Sequence, residues 1–157
     1  DELVWIPLYL VFLWAINKAY DWKITLWALL GVAVVVTLGD RISVELFKEV
    51  FRRYRPSRNL EIYDLVHTVN DYRGGKFGFL SSHATNFFGI STFLFMLLRK
   101  PYPRSAPFLF LFSGLVAYTR IYLGVHYPSD IICGAMLGAL IGWIVFKAFN
   151  RFVWKLP

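Results

Sequence analysis

The chain has 157 residues, of which 57% are apolar, and its mean hydropathy is +0.51. These values exclude an ordinary soluble domain and predict a membrane protein, because the apolar residues fall in long runs. The net charge of +7 favours the bilayer and a lipid phosphate as partners over nucleic acid, since the basic residues lie at the ends of those runs. The single cysteine, Cys133, lies inside an apolar run, so no intrachain disulfide is expected.

Five apolar runs predict an all-α, integral-membrane helical bundle of five transmembrane helices that forms a single domain over residues 1–157. A spanning helix needs roughly 20 mostly apolar residues, and the first run is shorter than that. The first run also lacks a basic, small-residue cleavage pattern, so it does not resemble a signal peptide, and we expect an upstream segment to be missing. The predicted helices are Leu3–Ile16, Ile24–Leu38, Phe77–Leu98, Ala106–Leu123 and Ile131–Phe149.

Charges in the connections predict the orientation of this bundle. The short connections and the C-terminal end are basic and lie on one side, which the positive-inside rule makes cytoplasmic. The residues concerned are Lys18, Lys23, Arg99, Lys100, Arg104, Lys147, Arg151 and Lys155. Because successive spanning helices place their connections on alternate sides of the membrane, the segment from Lys48 to Lys76 and the turn at His126 face outward. We therefore expect a bacterial inner-membrane protein whose polar face is turned toward the periplasm or the cell exterior.

One long polar connection, Ser57–Gly78, joins the second and third helices. A connection of that length is usually functional or a lid. Within it, Glu61–Val69 predicts a short interfacial helix that carries His67. We assign His67 a structural role, because no acidic residue or histidine lies at metal-ligand spacing from it.

The first polar cluster consists of Lys48, Arg52 and Arg55, at positions i, i+4 and i+7 of a predicted helix that Pro56 ends. Three cations on one helical face repel each other unless an anion lies among them, which predicts a phosphate clamp. The alternative is a solvated basic face that contacts anionic lipid.

The second cluster is the segment GFLSSHATN, residues 78–86, in which serines precede a long apolar helix. Ser81 or Ser82 is expected to cap that helix. Free backbone N–H groups at such a terminus bind an oxyanion, so Ser81, the local amides and His83 predict a phosphate cradle with a proton donor. The alternative is a helix cap followed by a chance histidine.

The third cluster is the segment TRIYLGVHYPSD, residues 119–130. We expect one helix to end near Gly124 and the next to begin at Pro128, which places Asp130 in a first helical turn. There its carboxylate accepts the ring N–H of His126 and leaves the other ring nitrogen free as a nucleophile or base. Arg120 requires an anionic partner at its membrane depth. The alternative is a histidine that caps a helix junction.

The last helix carries Gly134, Gly138 and Gly142, a face of small residues that permits close helix packing. Packing within the bundle explains this face at least as well as dimerisation. The oligomeric state is therefore not predicted.

All three polar clusters fall on the same predicted face, and together they resemble the type 2 phosphatidic acid phosphatase family. Lys48 to Pro56 has the form Lys, six residues, Arg-Pro; Ser81 to His83 is Ser-x-His; and Thr119 to Asp130 is Thr-Arg, five residues, His, three residues, Asp. The family's membrane core has six helices, which supports a missing first helix. The departures are Leu80 for the usual Pro, Ser82 for the usual Gly and Thr119 for the usual Ser.

The resemblance implies a phosphohistidine mechanism. His126 attacks phosphorus, Asp130 orients His126, and His83 first protonates the leaving oxygen and then accepts a proton from water. Neither a metal nor a cofactor is implied. We further predict that Arg52 contacts a second phosphate or the headgroup. The residues implied to hold the phosphate oxygens are Lys48, Arg55, Ser81, Ser82 and Arg120.

The function expected from this resemblance is a lipid phosphatase that acts at the extracytoplasmic face. Undecaprenyl pyrophosphate is the first substrate hypothesis, followed by phosphatidylglycerophosphate, phosphatidic acid or a lipid A phosphate. A non-enzymatic membrane protein that binds or carries phosphorylated lipid is the alternative from another class, although binding alone does not need an oriented nucleophile. A soluble phosphatase or haloperoxidase is disfavoured by the apolar runs.

Overall fold

A computed structural model describes residues 6–154, and within that range it is helical with no β-strand. Its five long helices are α1 (Ile6–Ala19), α2 (Trp22–Arg41), α3 (Ser82–Leu98), α4 (Ser105–Tyr122) and α5 (Pro128–Phe149). They confirm the predicted all-α bundle. The predicted start of the first helix at Leu3, and Lys155 at the other end of the chain, lie outside the described residues.

Helix α2 continues through a π-helical segment, Ile42–Lys48, and a last α-helical turn, Glu49–Phe51. The helix ends there because Arg52 adopts a left-handed conformation with φ of 47°. Arg55 already lies in extended backbone, as expected of a residue that precedes a proline. The predicted common helical face of Lys48, Arg52 and Arg55 is therefore wrong.

Within residues 6–154, two helices are long and apolar enough to cross a bilayer by themselves. They are Trp22–Phe51 and Pro128–Val153, whose most apolar 18-residue stretches have mean hydropathies of 1.8 and 2.0. Helix α3 is also apolar, but at 17 residues it is shorter than a full span. Large apolar side chains cover the outside of the bundle, as lipid contact requires, and examples are Leu10, Trp27, Leu111, Met136 and Ile144. The chain is an integral-membrane helical bundle.

Helices α3 and α5 are in close contact, because glycines of α5 meet the backbone of α3. A Cβ atom at Gly134 would lie 2.7 Å from the carbonyl oxygen of Ser81, and a Cβ atom at Gly138 would collide with that of Thr85. The small-residue face of α5 therefore packs within the bundle. Further along the pair, the buried ring of Phe93 packs edge to face against Phe146 and Phe149, with centroids 6.3 and 5.7 Å apart.

The connection between α2 and α3 is mostly irregular. The predicted helix at Glu61–Val69 is reduced to one 3₁₀ turn, Tyr63–Leu65. The side chain of Asn59 accepts a hydrogen bond from the Glu61 N–H at 3.1 Å, and such local bonds compete with helix formation. Tyr54 pairs with Phe77 in an antiparallel bridge. The N–H of Ser57 donates to the carbonyl of Gly124 at 3.0 Å and so ties the connection to the end of α4.

Candidate active site

The turn between α4 and α5 holds His126 in a buried position. Gly124 adopts a φ of 65°, and α5 begins at Pro128, so the expected helix break and restart are confirmed. Asp130 lies in the first turn of α5 and is fully buried, and its Oδ2 accepts the backbone N–H of Tyr127 at 2.9 Å. The Nδ1 of His126 lies 3.5 Å from the same oxygen, at the outer limit of a hydrogen bond.

Burial lowers the pKa of His126 below its usual value of 6.5. The nearby carboxylate of Asp130 opposes this shift, whereas the positive charge of Arg55 reinforces it. His126 is therefore neutral near pH 7. With Nδ1 turned to Asp130, its Nε2 is the nitrogen left with a lone pair.

Asp130 has a second partner that the sequence analysis missed, namely Arg53. Its Nη1 donates to Oδ1 of Asp130 at 3.0 Å and to Oγ of Ser129 at 2.9 Å. Its guanidinium also lies 4.0 Å from the ring centroid of Tyr127. Arg53 thus fixes one carboxylate oxygen of Asp130 and leaves the other for His126 and the Tyr127 amide.

A sequence signal for Arg53 exists. Pro56 biases Arg55 toward extended backbone, and residues two apart in an extended segment point to the same side. Arg53 and Arg55 satisfy that spacing, whereas Arg52 does not. In the structure Arg52 is exposed, and its Nε donates to the carbonyl of Glu49 at 3.0 Å. Its predicted contact with a second phosphate stays a prediction.

The start of α3 lies directly beside this pair. Ser81 caps the helix, because its hydroxyl accepts the N–H of Ala84 at 3.4 Å. Its own N–H donates to the carbonyl of Asp130 at 3.2 Å, so this amide is already occupied. The predicted cradle therefore depends on the Ser81 hydroxyl and on the amides that follow. Lys48 reaches the same helix end, where its Nζ donates to Oγ of Ser82 at 2.7 Å.

Arg55 is held against the 73–78 segment by close backbone contact. Its Nε donates to the carbonyl of Phe77 at 3.2 Å. A Cβ atom at Gly74 would lie 2.5 Å from Nη1 of Arg55, and the φ of Gly74 is 59°, so both space and conformation require glycine there. Gly78 lies between Arg55 and Asp130, with its Cβ position 3.1 Å from Cγ of Arg55 and 3.4 Å from Oδ2 of Asp130.

Arg120 and His83 complete the cluster. Arg120 lies in the last turn of α4, and its Nε donates to Oγ1 of Thr119 at 3.1 Å. His83 lies in the first turn of α3, within electrostatic range of Arg120, His126 and Lys48. In residues 6–154, Arg120 has no ion pair with a carboxylate. The structure thus groups the predicted site residues, other than Arg52, around His126: Lys48, Arg55, Ser81, Ser82, His83, Arg120 and Asp130.

The described part of the chain holds no group of three or more His, Cys, Asp or Glu side chains suited to a metal ion. His67 is not part of the cluster, and its ring packs against Tyr122 with centroids 4.9 Å apart. Its structural role stays a prediction.

Residues 24–154 match the PAP2 superfamily. The chain belongs to that superfamily. It is 38% identical to the lipid A 4'-phosphatase of Bacteroides thetaiotaomicron over 99% of this chain and 68% of the relative. It is 34% identical to the lipid A 4'-phosphatase of Porphyromonas gingivalis over 92% of this chain and 61% of the relative. The chain therefore spans about two thirds of the length of these PAP2 relatives.

The PAP2 fold is also found in a solved structure. The transmembrane PAP2 type phosphatidylglycerolphosphate phosphatase of Bacillus subtilis superposes with a TM-score of 0.66 at 22% identity, over 100% of this chain and 74% of that one. At that identity the likeness concerns the fold alone. The family match and the lipid A 4'-phosphatase relatives confirm the predicted resemblance and place the chain among the membrane lipid phosphatases of the PAP2 superfamily.

Proposed function

We propose that this chain hydrolyses a phosphate monoester of a lipid headgroup through a phosphohistidine intermediate, at the extracytoplasmic face of the membrane. The observation that carries the proposal is the buried imidazole of His126, whose Nδ1 lies 3.5 Å from Oδ2 of Asp130, in the field of Lys48 and Arg55. A carrier needs the cations but has no use for an oriented nucleophile.

In the first step, Nε2 of His126 attacks phosphorus in line with the lipid oxygen. A P–N bond forms while the P–O bond to the lipid breaks, and His83 gives its proton to the departing oxygen. In the second step, water attacks the phosphohistidine, and His83 takes a proton from that water. The P–N bond breaks, inorganic phosphate leaves, and both histidines return to their starting states.

The cations stabilise charge on the phosphate oxygens during both steps. Lys48 beside Ser82, Arg55 against the 73–78 segment and Arg120 at the end of α4 approach from three different elements. Fixed donors of this kind cost no reorganisation at the moment of reaction, which makes them effective in a site that excludes water. Ser81 adds a hydroxyl at the start of α3.

For the substrate, lipid A bearing a 4'-phosphate is the best-supported choice. Both relatives described above are lipid A 4'-phosphatases, so the comparisons favour what was an alternative in the sequence analysis over undecaprenyl pyrophosphate. The chemistry of the site suits either substrate, since the same nucleophile displaces a lipid alcohol or a lipid phosphate. The preference for lipid A therefore rests on the relatives rather than on the residues that hold the phosphate.

The decisive experiment measures phosphate release by the purified chain in detergent from lipid A, undecaprenyl pyrophosphate and phosphatidylglycerophosphate. Wild type is expected to release phosphate fastest from lipid A. His126→Ala is expected to lose about 10⁴-fold or more of that rate, as when other covalent catalysts lose their nucleophile. Acid-labile labelling of wild type, absent in His126→Ala, identifies the intermediate.

Equal, near-zero release by both proteins, with lipid binding intact, would instead support the carrier. Two reagents probe the chemistry further. Vanadate mimics a five-coordinate phosphorus and should inhibit release, whereas EDTA should leave the rate unchanged if cations of the chain alone neutralise the phosphate.

A further inference from the structure

A second cluster of cations lies in the connection between α2 and α3. Arg58, Arg73 and Lys76 line a cavity of about 540 Å³ together with the rings of Tyr54 and Tyr63. This volume lies within the range of roughly 300 to 1,000 Å³ that is typical of small-molecule sites. We call this cavity the second basic pocket; none of the residues assigned to catalysis or to the phosphate clamp lines it.

The charge of the second basic pocket is not balanced by carboxylates. No acidic residue lines it, and the ion pairs seen in residues 6–154 all involve other cations. Arg58 donates from Nε and Nη2 to the carbonyl of Gly74 at 3.2 and 3.0 Å, and Arg73 donates from Nη1 to the carbonyl of Ser57 at 3.2 Å. These partners are neutral and orient the two guanidinium groups without cancelling their charge.

The cations retain most of their donors. A guanidinium has five N–H groups, of which Arg58 uses two and Arg73 uses one in the bonds to backbone. The side chain of Lys76 makes no hydrogen bond in the described structure, and its Nζ lies 5.7 Å from the ring centroid of Tyr54. Three like charges around one cavity repel each other, and an anion with several acceptor oxygens would both relieve that repulsion and use these donors.

The second basic pocket shares its backbone with the candidate active site. The N–H of Arg55 donates to the carbonyl of Lys76 at 3.3 Å, and Tyr54 pairs with Phe77. Tyr54 lines the pocket, whereas the adjacent Arg55 belongs to the phosphate clamp, and consecutive Cα atoms are only about 3.8 Å apart. The two sites are therefore neighbours along this backbone, and a headgroup with two separated phosphates is the kind of ligand that would engage both.

We propose that the second basic pocket binds a phosphate-type anion other than the one that is hydrolysed. The anion is either a second phosphate on the lipid headgroup, which rests on the proposed function, or inorganic phosphate, which has the same chemistry. In the first case the pocket selects headgroups that carry two separated phosphates. This site differs from the predicted contact at Arg52, which does not line the pocket.

The test measures binding in the His126→Ala background, so it does not depend on turnover. Lipid A with two phosphates and lipid A with only the 4'-phosphate are titrated into the detergent-solubilised chain, and inorganic phosphate is titrated separately. Lys76→Gln removes the pocket's cation whose side chain makes no hydrogen bond, and Lys76→Arg restores the charge. Lys23→Gln is the matched control, because this exposed lysine also lies over an aromatic ring, 5.8 Å from that of Trp22, at the opposite end of α2.

We expect the two-phosphate lipid to bind more tightly than the one-phosphate lipid. Lys76→Gln should weaken binding of the two-phosphate lipid about three- to tenfold and reduce the difference between the lipids, in line with loss of one charge-assisted contact at an exposed site. Lys76→Arg should restore the difference, and Lys23→Gln should leave it intact. If the two lipids bind equally but inorganic phosphate binds in a Lys76-dependent manner, the ligand is free phosphate.

Two results separate the proposals. If neither the lipids nor inorganic phosphate binds in a Lys76-dependent manner, the second basic pocket is not an anion site. If wild type releases no phosphate from any lipid, the proposed function fails, but the binding difference between the two lipids still decides whether the pocket recognises a second phosphate.

Discussion

The two ends of the α3–α5 pair are built from opposite kinds of side chain. At the site end, Ser81, Thr85 and Asp130 are fully buried polar residues whose hydrogen bonds run between helices or into the backbone. At the aromatic end, Phe93 fills the interface with Phe146 and Phe149. The glycines of α5 hold the helices close between these ends, so polar contacts and aromatic packing occupy separate parts of one tight interface.

This difference implies a division of labour that substitution can break. Changes at the site end should lower the rate and leave stability largely unchanged, because few apolar contacts are lost there. Changes at the aromatic end should lower stability and leave the rate of the folded protein largely unchanged.

Among changes that leave the nucleophile His126 in place, the largest effect is expected for Asp130→Asn. The amide has nearly the same shape, but it presents an N–H group to His126 or to Arg53 and no longer favours the tautomer in which Nε2 is free. The rate should fall about 10³- to 10⁴-fold, as in other histidine–aspartate pairs. Phosphate release and thermal unfolding in detergent are measured together, and an unfolding midpoint that falls as far as that of Phe93→Ala would contradict the division.

Phe93→Ala is the reciprocal change at the aromatic end. The ring is fully buried, so its removal should destabilise the fold by about 3 to 5 kcal/mol, the usual cost of emptying such a site. The folded fraction at low temperature should retain its kcat. A large loss of kcat in protein that is shown to be folded would mean that the aromatic end also sets the site geometry.

Arg53→Gln tests the partner of Asp130 that the sequence analysis missed. Arg53 touches the carboxylate rather than the phosphate clamp, so its loss should act through the orientation of His126 and lower kcat about 10- to 100-fold with little change in KM. Arg53→Lys, which keeps the charge but not the planar guanidinium that bonds to both Ser129 and Asp130, should recover part of the rate. A change confined to KM would indicate direct substrate contact instead.

The neighbouring Arg52→Gln is the matched control for that substitution. Arg52 is exposed and bonds to the carbonyl of Glu49, so no effect through Asp130 is expected. If its replacement changed turnover of one-phosphate and two-phosphate lipids differently, the predicted headgroup contact at Arg52 would be supported. Unchanged turnover of both lipids would end that prediction.

The sequence was sufficient to predict the bundle and the grouping of the site, because long apolar runs, helix caps and the break at Gly124 and Pro128 are local signals. The helical position assigned to Arg52 was wrong, and the local signal that Pro56 gives for Arg53 was passed over. Helical periodicity favoured Arg52, but the π-helical segment Ile42–Lys48 and the left-handed turn at Arg52 end the helix before that periodicity applies. The π-helical segment also packs against α3, where Ser43 donates a hydrogen bond to Thr85 at 3.3 Å, a tertiary contact that helical periodicity does not report.

The occupied amide of Ser81 was equally hidden from the sequence. A serine before an apolar helix predicts a cap, and the cap is present. That the same N–H donates to the carbonyl of Asp130 follows from the close approach of α3 to α5 at Gly134; the glycine pattern predicts close packing there but does not identify the partner helix. The second basic pocket likewise requires residues far apart in the 52–81 connection to be brought together.

The smallest expected effect concerns pH. Burial and the charge of Arg55 hold the pKa of His126 below 6.5, so the nucleophile is neutral at pH 7 and the rate should fall only when the pH drops below that lowered pKa, by about tenfold per unit. Replacing Arg55 with Gln removes a positive charge and should move this acid limb of kcat/KM to higher pH.

The lowered pKa of His126 also affects stability. Between the folded pKa and 6.5 the unfolded chain binds more protons at His126 than the folded chain does, so the free energy of unfolding decreases as pH falls through that window. Because His83 must be protonated when His126 is neutral, the profile should also decline at high pH, and a flat rate from about pH 5 to about pH 8 would contradict the assignment of the two histidines to opposite proton states.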